Sequence, residues 1–445
     1  MPEIASPPAS TLTPAKTARQ RTDTFTSIWM IIAVAMALVT LVVKNRMPQP
    51  LWTMIHLVTL GVLSNGIFQW SWFFARSLAR LSADDPRARR HNTIRILIFN
   101  ACFLLLFVSM WLGWMVGTMI AATGIAAVAA WHGAEMLSVL RERLASRFVI
   151  VVRYYVCSAS FFVLAALLAS FVSATMFSPS VPEALVAMRD RLTLAHALSG
   201  VAGWVGLTIG GTVITLGPTI LRTRMSPDAV SGGVRVLLPW CLSLILAIAA
   251  ALLGMMPLVG AGILAVGACA IVGIVYPYAK VLRNKGPREY SAWSFLLGLL
   301  WISVGVCALG VASLFVSTPS QLRALTLMWL PIIGIAGFAQ LFQGALSYLM
   351  PVVIGGGPSI VRIGIAIIDW QFPLRLGLRN SALILELFLF FTSESSSVQV
   401  LRTAGWLLVI ATFVIDVVIY AKTGITQAQA RRARSETLSE SRQVQ

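Results

Sequence analysis

Charge is what this chain has least of. Only 11% of its 445 residues are Asp, Glu, Lys or Arg, where a soluble domain carries about 25%, so a water-exposed surface of ordinary size cannot be built from it. Acidic residues are scarcer still, 16 against 34 basic ones. The five cysteines, Cys102, Cys157, Cys241, Cys269 and Cys307, all lie in apolar runs and form no C-x-x-C, which argues against a disulfide frame or a zinc ribbon and leaves them as packing residues. The glycine triplet Gly355, Gly356 and Gly357 is followed by no Lys-Ser or Lys-Thr pair, so it is not a phosphate loop.

What the chain has is apolar length. Hydrophobic residues make up 58% of it, and runs long enough for a hydrocarbon core of about 30 Å recur with short basic gaps between them. We read twelve spans, at 27 to 43, 51 to 75, 96 to 112, 115 to 139, 149 to 172, 192 to 221, 234 to 254, 258 to 279, 292 to 316, 324 to 350, 379 to 392 and 399 to 420. The expected fold class is all-α: a polytopic membrane bundle of about twelve helices, possible as three arcs of four. Residues 1–25 read as a disordered cytoplasmic tail, 26–421 as one transmembrane domain and 422–445 as a cytoplasmic C-terminal tail.

A net charge of +18 raises the question of nucleic acid. With the N-terminus in the cytoplasm, 28 of the 34 basic residues fall in inner segments and only Lys44, Arg46, Arg189, Arg191, Arg323 and Arg402 fall outside. Basicity spread over every inner loop is the signature of membrane topology, not of a nucleic-acid patch. The expected partner is therefore the lipid bilayer, in a bacterial plasma membrane, with both termini cytoplasmic and no nucleic acid.

Two connections have character of their own. Ser180 and Glu183 have capping-box spacing around Pro182, which predicts one short interfacial helix before span six. After span ten, Gly355–Gly357 and Pro358 break the helix, and a possible interfacial segment follows. A weak repeat is more telling: span six, "LTLAHALSGVAGWVGLTIGGTVITLGP", aligns without gaps to span ten, "LTLMWLPIIGIAGFAQLFQGALSYLMP", matching Gly211 to Gly344, Pro218 to Pro351 and His196 to Trp329. Span two repeats the spacing of His196 and Gly206 with His56 and Gly66. Equivalent elements thus recur every four spans, at two, six and ten.

His56 and His196 therefore share a depth, roughly 6 to 8 Å inside the outer ends of their helices. An ionisable side chain within a span is costly and usually faces the bundle interior with a partner, and imidazole is a common ligand of iron and copper. Two readings stand: ligation of haem or copper, or hydrogen bonding between helices. Ser199, Gly200, Gly203, Gly210 and Gly211 follow His196 along one face, giving either a slot for a flat macrocycle, with Gly200 and Gly203 beside it, or close helix packing. His132 and Glu135 share a face near the inner end of span four and predict a hydrogen-bonded pair or one half of a metal site. Gln340 and Gln343 form a stripe on span ten, open to the same interior as the histidines or to amide bonds between helices. Glu386 and Asp416 are proton-path or ion-site candidates, or partners of each other. His91, in a solvated loop, is assigned no role.

The strings "HLVTLGVLSNGIFQWSWFFARSL", "HALSGVAGWVGLTIGGTVITLGPTILRTRM" and "FAQLFQGALSYLMPVVIGGGP" resemble the polytopic membrane region of actinobacterial copper-oxidase-like, multicopper oxidase-associated proteins, from about Leu51 to Arg362. More remotely, the arrangement is similar to haem-copper oxidase subunit I and NnrS-type membrane proteins. That resemblance implies His56 as the span-two haem ligand and His196 as the span-six metal ligand, with haem b or copper as cofactor. The departures matter: span six lacks His-Pro-Glu-Val-Tyr, span seven lacks a histidine pair, span ten has Trp329 where a histidine would stand, and no His-x-His occurs anywhere. A terminal oxidase is therefore set aside. The expected function is a haem- or copper-binding protein of electron transfer or metal handling, with a redox or copper-enzyme partner at the outer face. The alternatives are a secondary transporter or a non-catalytic scaffold for a respiratory or copper enzyme.

Overall fold

Each apolar run becomes a helix because no water competes for backbone hydrogen bonds within a bilayer, and the chain breaks where capping residues stand. The computed structural model describes residues 18–443, apart from 83, 144–148, 179, 181 and 394. Among the described residues there are twelve long helices and no strand. They are α1 (Ala18–Val43), α2 (Pro50–Leu78), α3 (Arg87–Leu112), α4 (Met115–Glu142), α5 (Ile150–Phe177) and α6 (Arg189–Ile220). Then follow α7 (Pro227–Leu253), α8 (Met256–Asn284), α9 (Tyr290–Ser313), α10 (Pro319–Ile354), α11 (Phe372–Leu389) and α12 (Ser396–Gln443).

Helix starts and stops follow local chemistry. Ser226 accepts the amide of Asp228 ahead of α7, with Pro227 at the first helical position. Thr318 and Gln321 form a capping box on α10, with Pro319 in the same role. Gly113 and Gly254 end α3 and α7 at φ 64° and 79°, a left-handed conformation that costs a residue without Cβ little.

Ten of the helices are long and apolar enough to cross a membrane, which makes the chain a multi-pass helical bundle. The other two differ from the twelve-span expectation in instructive ways. The apolar part of α1 covers Phe25–Thr40. α11 begins at Phe372, seven residues before the expected start of that span, and carries Arg375, Arg379 and Glu386 inside the bundle, so its hydropathy falls although its packing is internal.

Helices alternate in direction, so the connections after odd-numbered helices share one end of the bundle, here end A, and those after even-numbered helices share end B with both ends of the described chain. Ion pairs tie neighbours together at each: Arg323 to Asp190 at end A, Arg222 to Glu289 and Lys280 to Asp228 at end B. The short helix expected before α6 is present as Glu183–Ala187, with Pro182 rather than Ser180 at its cap position and no side-chain cap bond. The segment after the glycine triplet is a helix too, Pro358–Ile368. Of the expected tails, residues 1–17 lie outside the described residues; α1 is helical from Ala18 and α12 runs on through 422 to Gln443, as a stretch rich in Ala, Gln, Arg and Glu favours.

The repeat has a structural counterpart. In α2, α6 and α10 the backbone widens from α to π hydrogen bonding, over Leu57–Ser64, Leu198–Gly206 and Ile332–Ala339. These stretches begin one, two and three residues after His56, His196 and Trp329. π-helical turns are rare, and shorter ones also open α3 over Arg87–His91 and interrupt α8 over Ile271–Val275; it is the matching position of the three long ones, together with the sequence repeat, that relates α2, α6 and α10.

Candidate functional site: a histidine pair in an intramembrane chamber

α2 and α6 bring His56 and His196 side by side, with ring centroids 6.1 Å apart and planes 16° from parallel. Each ring is anchored through the same atom. Nδ1 of His56 lies 2.9 Å from the carbonyl of Trp52, one turn back on α2, and Nδ1 of His196 lies 2.8 Å from the carbonyl of Ala165 on α5. A carbonyl can only accept, so Nδ1 carries the proton in both rings, and in the neutral imidazole the lone pair is on Nε2. Among the described residues neither Nε2 has a hydrogen-bond partner. Trp52 stacks on the His56 ring at 4.3 Å and backs it against the helix.

Both rings line a cavity of about 560 Å³ walled by α2 to α10. Its surface is mostly apolar; Arg189 and Arg323 are at the end-A mouth, and Trp204 and Trp240 are deeper. Trp204 is fixed by donating from Nε1 to Ser64 Oγ at 2.9 Å and by stacking on Phe162 at 4.5 Å. Arg189 is held by the hydroxyl and carbonyl of Thr175.

The glycines of α6 divide between the two readings. Gly200 lines the cavity, and a Cβ there would meet Ala165 Cβ at an ordinary 3.7 Å. Gly203 does not line it: a Cβ would come within 2.5 Å of Phe161 Cβ, and at Gly211 within 2.6 Å of Tyr154 Cβ. Those two are packing glycines against α5. The π turn over Leu198–Gly206 rotates the helix relative to an ideal α spacing, which is why a face counted at 3.6 residues per turn mixes the two kinds.

The other expected site residues are elsewhere. His132 and Glu135 do not pair. His132 is fully buried, Nε2 is 3.3 Å from Ser71 Oγ, and Phe68, Trp72 and Trp204 surround the ring. Glu135 instead binds Arg95, Nδ1 of His91 at 2.7 Å and Nε1 of Trp131 at 2.9 Å, so His91 has a partner that its place in the sequence concealed. Gln340 and Gln343 face away from the histidines: Gln340 exchanges hydrogen bonds with Asn380, and Gln343 accepts from Arg379, while the Tyr290 hydroxyl donates to Asp416 at 2.6 Å. Asp416 is not paired with Glu386; it is clasped by Arg375 and Arg379, all three buried. Both arginines had been counted with the inner loop, because nothing local reveals a partner about 40 residues on. Glu386 bonds Trp406 and packs one oxygen against Gly405. It lines a second cavity of about 220 Å³ with Trp329 and Arg402.

Among the described residues no group of three or more His, Cys, Asp and Glu side chains could hold a metal by itself. The His pair therefore supplies two donors. That number would suit haem iron, which brings nitrogens of its own, with His56 and His196 as the two protein donors. It also fits copper with positions left open to other ligands. The Nδ1 anchors fit too, since metal-bound imidazoles donate their other N–H to an outer carbonyl or carboxylate. Sequence reading found the two rings from their shared depth. It missed Trp52, Ala165, Arg189 and Arg323, of which only Trp52, one turn before His56, left a local signal. No family model and no curated protein matches the chain.

Proposed function

We propose that His56 and His196 bind a metal centre, haem iron or copper, in a plasma-membrane protein of electron transfer or metal handling that is not a terminal oxidase. The observation that carries the reading is the pair of anchored rings: two Nε2 lone pairs are left without partners in one apolar chamber, on rings 6.1 Å apart. Both rings are half-buried and line the cavity, so these lone pairs are open to a ligand. When bound, the metal supplies one-electron redox chemistry or a transferable ion. The chain would supply the two Nε2 donors; it fixes their tautomer through Trp52 and Ala165 and surrounds them with mostly apolar walls. A positive-inside orientation puts end B in the cytoplasm and the chamber mouth at the outer face, where a redox or copper-enzyme partner would meet it.

The test is the absorption spectrum, oxidised against reduced, and the metal content of the purified protein. A Soret band or one copper per chain, lost in the His56→Ala, His196→Ala double variant, is the expected result; neither signal, or a double variant with undiminished metal, refutes the reading. The permease alternative rested on Glu386 and Asp416. It loses part of its motive because Asp416 is occupied by two guanidiniums. Uptake of a solute that fails in Glu386→Gln and persists in the histidine variant would restore it.

A further inference from the structure

The chamber is much deeper than the histidine pair. On α8 its wall runs from Val259 to Val275, and on α10 from Leu322 to Phe338, a depth of roughly 24 Å at 1.5 Å per residue. His56 and His196 stand six and seven residues into their helices, so the cavity continues roughly 18 Å past them toward end B. The cavity has a volume of about 560 Å³. Polarity is graded along it. The mouth has Gln49, Arg189, Thr193 and Arg323, the histidines follow, Ser64 and Ser303 stand below them, and the deep part is lined by Ile209, Ala270, Val275 and Phe338. Neither an ion nor a disc held at the histidines would fill that lower reach.

We propose that the chamber binds an amphiphile: an oxygen-bearing head, hydroxyl or carboxylate, at the level of the two arginines, and an extended hydrocarbon tail running toward Ala270 and Val275. The guanidiniums of Arg189 and Arg323 at the mouth donate to the head oxygen and leave both imidazole Nε2 atoms to the metal, so a polar head and an apolar tail each have a place in one cavity. The binding is distinct from the metal site and is measured separately from it.

Two series of probes test it on the full-length protein in lipid nanodiscs: straight-chain carboxylic acids and prenyl hydroquinones, each of increasing tail length. Affinity is expected to climb with tail length until the tail reaches roughly 18 Å and then to level off. The series with the tighter plateau identifies the source as an acyl or an isoprenoid lipid. Ala270→Phe, which plugs the deep end, is expected to weaken the longest probe at least tenfold and the shortest less than twofold, with haem or copper content unchanged. Affinity that ignores tail length, or that rises without limit as simple partition into the bilayer does, overturns the proposal; so does an Ala270→Phe protein that folds, keeps its metal and binds the long probe normally. Should Ala270→Phe not fold, the plateau in the wild-type series decides alone. Loss of metal in the histidine variant with tail binding intact would separate the two sites.

Discussion

Two polar groups inside this bundle are built on opposite plans. Around Asp416, every charged atom is answered: Arg375 and Arg379 share its carboxylate, Arg375 also donates to the carbonyls of Ile368 and Trp370, and Arg379 to Thr412, Gln343 and Tyr290. Around His56 and His196, each ring is answered on one side and left open on the other. A closed network fastens helices and has nothing to offer a ligand; a half-open one, aimed into a cavity, has. The difference lies in valence left over: the fully buried Asp416 cluster has none, and the half-buried rings, open to the cavity, keep theirs.

The comparison can be broken in order of expected effect. Asp416→Asn leaves two guanidiniums buried without a counter-charge and should cost about 3–5 kcal/mol, read as a large fall in the thermal unfolding midpoint. Replacing Arg375, Arg379 and Asp416 together by apolar residues of similar volume should recover most of that loss, as expected of a fastener. Gly203→Ala drives a methyl into Phe161 and should cost about 1–3 kcal/mol, whereas Gly200→Ala should stay within about 0.5 kcal/mol while lowering ligand content; equal costs would mean that both glycines serve packing. His56→Ala should cost about 2 kcal/mol in metal-free protein, because it loses one bond to a backbone carbonyl and the stacking on Trp52.

The smallest effect is at end B. Arg87 donates hydrogen bonds to Asp85 and holds its carboxyl below the usual carboxylate range. A lowered pKa means stability that is present above the ordinary value and lost as pH falls through the lowered one. The gap between wild type and Asp85→Asn should therefore be largest near pH 6 and shrink toward about pH 3. A gap constant over that range would mean that the carboxylate's charge contributes nothing.

Most of the architecture could be read from the residues alone, because apolar runs and basic connections are local properties. So could the neighbourhood of His56 and His196, since equal depth in equivalent helices follows from spacing. The partners could not. Asp416 meets arginines 41 and 37 positions away, Glu135 meets Arg95 at a separation of 40, and His196 leans on a carbonyl 31 residues back. Such pairings are decided by which helices lie together. The π stretches were equally hidden, for their residues, such as "LVTLGVLS", are ordinary membrane-helix residues, and the widened turn also misled the count of which glycines share a face with His196.

The far end of α12 reaches across end B to the last turn of α10. Gln427 donates to the carbonyls of Pro351 and Gly355, Arg431 to that of Ile354 and Arg434 to that of Gly356. These are carbonyls that a helix terminus cannot satisfy from within itself. A bolt of this kind makes the C-terminal segment a handle: whatever grips, trims or modifies it acts on the same rod that walls the ligand chamber at its other extremity. A purification tag placed beyond Gln443 is harmless to that bolt, while truncation before Gln427 draws it.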